Sequence, residues 1–220
     1  MYHKEEIFLN KGDITRFISI NKRTFLILCT VFVIGIVLGT LCVKTLTDVQ
    51  KTELINYLSN FFKVLGNTED INKNRMFLQL LFDNIKVYVL ILVLGMFSIG
   101  MLLIPTLVLI KGFILGFTIG FILDELYLMG LLFSLLVIFP QNILYIVGLI
   151  FSSLISILMS YNKYINKNKF SSSSYFKRNI HNILNYTLSL LVCYAITALG
   201  CAFEAYISPI FMIFFSNKLF

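Results

Sequence analysis

Long apolar stretches without a charged side chain dominate this chain. A helix needs about 20 residues to cross roughly 30 Å of hydrocarbon, so several of these stretches are each long enough for one crossing. None shows the period-2 alternation of barrel strands. The pattern predicts an all-α, polytopic integral membrane helical bundle. The uncharged runs cover residues 24 to 43, 87 to 110, 112 to 123, 126 to 160, 183 to 203 and 205 to 216.

Two of these runs do not fit a single upright helix. The run from 112 to 123 is too short, unless Lys111 snorkels from one helix end and the acidic pair after residue 123 reaches the opposite interface. We interpret it as a third span on that basis. The run from 126 to 160 would be about 52 Å long if straight, and Pro140 lies near its middle. We therefore expect a fourth helix that is broken by Pro140 or lies partly along the interface.

Basic residues predict how the chain is oriented. The tail before residue 24 carries five lysine or arginine residues, and the segment from 161 to 182 carries five with no acidic residue. Because lysine and arginine are retained on the cytoplasmic side, both segments should be cytoplasmic. The run between 126 and 160 must then cross once, which gives five spans with the amino terminus inside and the carboxyl terminus outside.

These considerations divide the chain into consecutive segments. Residues 1–23 form a cytoplasmic basic tail, 24–43 the first span, 44–86 an external amphipathic helical segment, 87–160 a three-span core with a bend at 140, 161–182 a cytoplasmic basic loop, 183–203 the fifth span and 204–220 an external apolar tail.

The external segment carries apolar side chains at helical spacing. Leu54, Leu58, Phe61 and Phe62 recur on one face, and a second such pattern begins near Phe77, so we predict two short amphipathic helices. Such a hairpin either rests on the lipid interface or docks a partner.

Composition agrees with a membrane protein and excludes most other classes. Hydrophobic residues make up 58% of the chain and charged residues 13%, whereas a soluble domain carries about 25% charged residues. The net charge of +7 does not indicate nucleic-acid binding, because the basic residues flank apolar blocks.

The four cysteines lie in or beside apolar runs without metal-ligand spacing, so no metal or cofactor is expected. We also expect no enzyme, because H-E-x-x-H, G-x-S-x-G and Walker-type motifs do not occur.

Three glycines form the most specific local pattern. Gly112, Gly116 and Gly120 stack at four-residue intervals, each followed by phenylalanine. Small residues on one face let another helix approach closely in a membrane. Gly35 and Gly39 repeat the spacing in the first span.

Pro140, Gln141 and Asn142 place polar chemistry inside an apolar run. One reading is a proline kink whose freed carbonyls are satisfied by the two amides and by neighbouring helices. The other is a broken helix that lines a substrate path, as in secondary transporters. The sequence leaves both open.

Glu204 is the single carboxylate of the fifth apolar segment. In the five-span arrangement it lies near the outer interface, where water, Lys44 or Lys86 would stabilise it. At that position its carboxylate is available to dock a partner.

Three motifs in this order resemble the stage II sporulation protein M family over nearly the whole chain. They are Lys111-Gly112 with its glycine and phenylalanine repeat, Phe139-Pro140-Gln141-Asn142, and the segment from Phe203 to Pro209. The basic amino-terminal tail and the Gly-x-x-x-Gly step of the first span also match. The lysine- and serine-rich stretch from 161 to 182 departs from the family pattern.

The resemblance implies a function that composition does not show. It implies a non-enzymatic scaffold in the bacterial cytoplasmic membrane that gathers stage II sporulation proteins D and P at the sporulation septum. Those partners cut peptidoglycan during engulfment, so the septal wall is remodelled. The competing hypothesis is a transporter or permease-like subunit with the Pro-broken helix along its path. Self-association into a homo-oligomer stays open.

Topology reporters test the five-span arrangement. A reporter fused at residue 60 should respond as external and one at residue 170 as cytoplasmic, because an odd number of crossings separates them. Finding both reporters on the same side would contradict five spans.

Overall fold

A computed structural model describes residues 20–67, 72–165 and 173–219. Every element in these ranges is helical, which confirms that this part of the chain is all-α, as predicted. The helices are α1 (Lys22–Val43), α2 (Asp48–Asn67), α3 (Lys73–Met96), α4 (Gly100–Phe133), α5 (Phe139–Ile165), α6 (Ser173–Tyr206) and α7 (Ser208–Leu219), with a π-helical turn at Ser134–Ile138 between α4 and α5.

Helices α1 and α4 pack in parallel with their backbones in direct contact. A Cβ atom added to Gly112 would meet Phe32, one added to Gly116 would overlap the backbone of Ile36, and one added to Gly120 would lie 3.1 Å from Thr40 Cα. The contacts advance in the same direction on both helices, so the helices run parallel. Gly35 and Gly39 of α1 likewise lie against the α4 backbone. The glycine face thus replaces side-chain packing with backbone contact.

The chain reverses direction inside α4. Tyr127 has φ 47° and ψ −123°, which is not helical. Met101 near the start of α4 donates its backbone N–H to Ser160 of α5, whereas Ile122 packs with Val137 at the other end. The arm at 100–126 and helix α5 are therefore antiparallel.

The uncharged run from 87 to 110 indicated one continuous helix. The structure has a turn within this run instead. Helix α3 is continuous from Lys73 to Met96, and α4 begins at Gly100. The second short amphipathic helix predicted near Phe77 is accordingly the first part of α3. The turn between α3 and α4 has no charged residue of its own to mark it in the sequence, because its polar partners lie on another helix. Lys163 of α5 donates to the Met96 carbonyl at 2.9 Å.

Lys111 is not at a helix end. It lies well inside the continuous arm at 100–126, so the predicted third span at 112–123 is the second half of a longer helix. The sequence suggested a boundary because a single lysine interrupts two uncharged runs.

The backbone departs from helical geometry at Tyr127 and not at Pro140. Pro140 is the second residue of α5 and follows the π-helical turn, in which Phe139 N–H donates to the Ser134 carbonyl. The backbone stays helical on both sides of this turn, since Phe133 and Phe139 both have right-handed helical angles. The wider π-helical turn directly before Pro140 is a local adjustment that accommodates a proline ring inside a helix.

Within the described residues, four stretches are long and apolar enough to cross a membrane, judged by length and composition. A straight helix over the third stretch would be about 99 Å long, so the reversal at Tyr127 is what lets it fit a bilayer. The stretches are Lys22–Val43, Lys73–Met96, Gly100–Ile165 and Ile183–Ile213.

Replacing Gly116 by valine should separate α1 from α4. The new side chain would collide with the Ile36 backbone, which has no flexible end to move away, and we expect a loss of about 1–3 kcal/mol in unfolding free energy. Unfolding in mixed micelles with increasing dodecyl sulfate measures it. Thr118→Val is the matched control, because Thr118 is exposed on the same helix. Equal stability of the two variants would contradict the backbone contact.

Candidate functional site

A seam of small and polar side chains follows one face of α5. Its members recur at three- or four-residue spacing, and all but Tyr145 are buried. The seam faces α3, α6 and the turn between α3 and α4. It consists of Gln141, Tyr145, Gly148, Ser152, Ser156 and Ser160.

Three tyrosines each fill the space left by a glycine on a neighbouring helix. A Cβ atom at Gly148 of α5 would lie 2.5 Å from the Tyr88 hydroxyl of α3, and one at Gly200 of α6 would lie 2.7 Å from the Tyr145 ring of α5. One at Gly95 of α3 would overlap the Tyr186 hydroxyl of α6.

Each of the three helices thus gives a tyrosine to one neighbour and receives a tyrosine from the other. This closed exchange fixes the relative positions of α3, α5 and α6 at three heights. We call the arrangement the tyrosine exchange.

The hydroxyl groups of the tyrosine exchange are hydrogen bonded inside the bundle. Tyr88 and Thr197 share a hydrogen bond of 2.6 Å between their oxygens, and Tyr186 and Ser156 share one of 2.8 Å. Tyr145 donates to Glu204 at 2.6 Å. Polar groups that would be costly in hydrocarbon are therefore paired with one another.

Glu204 faces the bundle. Its carboxylate accepts from Tyr145, whereas Lys86, suggested above as a stabilising neighbour, pairs with Asp83 at 2.7 Å. Lys44 is exposed at the end of α1. The tyrosine partner could not be read from the sequence, because Tyr145 and Glu204 lie 59 residues apart.

The two amides after Pro140 have different partners. Gln141 is buried and accepts a hydrogen bond from Ser208 at the start of α7. Asn142 donates to the Ile138 carbonyl of its own helix at 2.7 Å. Gln141 thereby links α7 to one end of the seam, while Asn142 satisfies a backbone carbonyl of the π-helical turn.

Helix α2 packs on the protein through its apolar face. Leu58 joins a cluster with Ile122, Phe133 and Val137, and Leu54 is half-buried. The Phe61 and Phe62 side chains lie outside the described part of the structure. The predicted partner-docking role of these residues stays a prediction.

The opposite face of α2 is exposed along the described part of its length. Val49 and Tyr57 are 70% and 75% exposed. Together with Thr52, Glu53, Asn56 and Asn60 they recur at helical spacing, and Asp48 and Gln50 in the first turn are exposed as well.

An ion pair fixes α2 to the end of the first α4 arm. Lys51 Nζ lies 2.6 Å from an Asp124 carboxylate oxygen, and both side chains are partly exposed. The hydrogen bond that Lys51 donates to Asp124 raises the pKa of Lys51 above its ordinary value. An exposed pair of this kind contributes little stability, so its main effect is on the position of α2.

The site holds no arrangement suited to metal binding within the described residues, where no group of three or more potential ligands occurs. Two buried hydroxyls, Ser134 and Ser153, have no hydrogen-bond partner there. The polar side chains of the seam bond partners on neighbouring helices.

The sequence carries one signal of the seam. Ser152, Ser156 and Ser160 recur every four residues in an apolar run, which is the spacing of one helix face. Their tyrosine partners are distant in sequence and needed the structure.

Residues 28–209 match the family model described as stage II sporulation protein M. The chain belongs to this family. Membership confirms the resemblance of the three motifs, all of which lie within the matched residues, and it points to a sporulation-related membrane protein. The searches of curated proteins and of solved structures returned no match.

A double-mutant cycle of Tyr88→Phe and Thr197→Val should reveal coupling across the seam. Each single change removes one side of the 2.6 Å hydrogen bond, and we expect a coupling energy of about 0.6–1.7 kcal/mol, the range for hydrogen bonds between membrane helices. Unfolding in mixed micelles measures it, with Tyr161→Phe as a control at an exposed tyrosine of α5. Strict additivity of the two changes would show that the bond contributes nothing.

Proposed function

We propose that this protein is a non-enzymatic membrane scaffold of the engulfment machinery. It recruits peptidoglycan hydrolases, stage II sporulation proteins D and P, to the septal membrane. Family membership supports a role in sporulation, and the paired, inward-facing polar groups of the seam suit a structural function.

The scaffold crosses the membrane five times in this proposal, with its amino terminus inside. Helix directions support the count. Helices α1 and the 100–126 arm run parallel, α5 runs antiparallel to that arm, and Tyr206 near the end of α6 bonds Asn74 near the start of α3 at 2.7 Å. All these contacts are satisfied if successive helices cross the membrane in opposite directions, in the order α1, α3, the 100–126 arm, α5 and α6.

The exposed face of α2 is the observation that carries the docking proposal. Because Leu58 packs against the body of the protein, a partner meets the opposite face, where Tyr57 is 75% exposed. In the five-span arrangement this face lies outside the cytoplasm, where peptidoglycan is located. Tyrosine is enriched among residues that dominate binding energy at protein interfaces.

The alternative, a transporter or permease-like subunit, needs polar groups that are free to meet a substrate. Gln141 is buried and bonds Ser208, and Asn142 bonds its own helix. These partners favour a packing role for both amides.

Changing the exposed face of α2 should disrupt recruitment without disturbing the fold. The paired change Glu53→Ala and Tyr57→Ala should lower the septal accumulation of fluorescently tagged stage II sporulation proteins D and P by about tenfold, if the pair contributes on the order of 1.4 kcal/mol to binding. Membrane levels of the variant should stay at those of the unmodified protein.

Tyr164→Ala is the matched control, because Tyr164 is an exposed tyrosine at the far end of α5. Unchanged septal accumulation in the Glu53 and Tyr57 variant would remove α2 as the docking surface.

A further inference from the structure

Three exposed charges lie at one height in the helical hairpin formed by α3 and α4. Lys86 lies ten residues before Met96, the last residue of α3, and Lys111 lies eleven residues after Gly100, the first residue of α4. Asp83 lies one turn further along α3 and pairs with Lys86. All three side chains are exposed. We call Asp83, Lys86 and Lys111 the charge belt.

The charge belt lies near the middle of the bilayer if the helices span it. Lys111 is eleven residues into α4, about 16 Å along the helix axis, which is half of a hydrocarbon layer of roughly 30 Å. The parallel packing gives the same height independently. Gly112 meets Phe32, at the midpoint of the 22-residue helix α1.

Lys111 is the unbalanced member of the charge belt. Lys86 has Asp83 at 2.7 Å, whereas Lys111 makes no hydrogen bond or ion pair within the described residues. A lysine at the centre of a membrane helix costs about 2.5–3.5 kcal/mol on insertion scales. That cost falls when a carboxylate in the same layer neutralises the ammonium group.

We propose that Lys111 binds an aspartate or glutamate in a membrane-spanning helix of a partner protein. The inference rests on the proposed scaffolding role and adds to it a contact within the membrane. The external face of α2 and Lys111 would then be two separate contacts to partners.

Charge complementarity selects this occupant over a second copy of the chain. The charge belt carries a net single positive charge, so two copies would bring like charges together in a medium of low dielectric constant. Glu204 of a second copy is already bonded to Tyr145, and its Asp83 already pairs with Lys86.

A lipid phosphate is a poorer fit than a helix carboxylate. Snorkelling brings lysine to the headgroups when it lies near a helix end, but Lys111 lies about 16 Å from the start of α4. A partner helix can place its carboxylate at this depth.

Synthetic helices test the proposal with the full-length protein in phosphatidylcholine vesicles. The probes are two membrane-spanning peptides of about 20 leucine-rich residues, one with a central aspartate and one with leucine there. Energy transfer between labelled protein and labelled peptide reports association. We expect the aspartate peptide to bind more tightly by on the order of tenfold.

Variants show whether Lys111 causes the preference. Lys111→Leu should abolish it and Lys111→Arg should retain it, because arginine keeps the charge. Lys44→Leu, a change at an exposed lysine just beyond the end of α1, should leave it intact. Circular dichroism verifies that each variant keeps its helical content.

Four results would overturn the proposal. Two of them are equal binding of both peptides and a preference that survives Lys111→Leu. The third is loss of the preference when phosphatidylglycerol replaces part of the phosphatidylcholine, which would assign the site to lipid phosphate. The fourth is self-association that depends on Lys111 while neither peptide is preferred, which would assign the site to a second copy. No hydrolase is present in this assay, so its outcome is independent of whether α2 recruits one.

Discussion

Hydrocarbon cannot hydrogen bond to a polar group, and this constraint accounts for how the helices of the bundle are held together. Serines, tyrosines and a glutamate lie along the interface of α3, α5 and α6, and the three tyrosine hydroxyls each bond a side chain of a neighbouring helix. The same interface continues through Gln141 to Ser208, so the position of α7 depends on it. The packing of the bundle and the position of α7 are therefore linked.

Two kinds of contact hold the remaining helices. Between α1 and α4, glycines bring backbones together with little polar chemistry. Between α2 and the body of the protein, an apolar cluster around Leu58 and an ion pair from Lys51 to Asp124 set the position of the helix. Packing in a membrane gains little from the hydrophobic effect between helices, so close fit takes its place. The apolar cluster around Leu58 agrees with the amphipathic pattern of α2.

The all-helical fold and the family were predictable from the sequence because both depend on local composition and on short motifs. Helix boundaries near charged residues were not. Lys111 suggested a boundary where the structure has a continuous helix. The turn at 97–99 was not predictable, because its polar partners, Ser160 and Lys163, lie on another helix. The candidate site depends on pairs such as Tyr145 and Glu204 that lie far apart in sequence. One amphipathic face was visible in α2, but its packing against Phe133 and Val137 required the three-dimensional arrangement.

Isolation of the protein from sporulating cells tests the scaffold most directly. Membranes solubilised in mild detergent would be passed over an affinity-tagged copy, and the retained proteins identified by mass spectrometry against an untagged strain. The account predicts enrichment of peptidoglycan hydrolases, stage II sporulation proteins D and P among them. Retention of a transport ATPase or another permease subunit, with hydrolases at the level of the untagged strain, would contradict it.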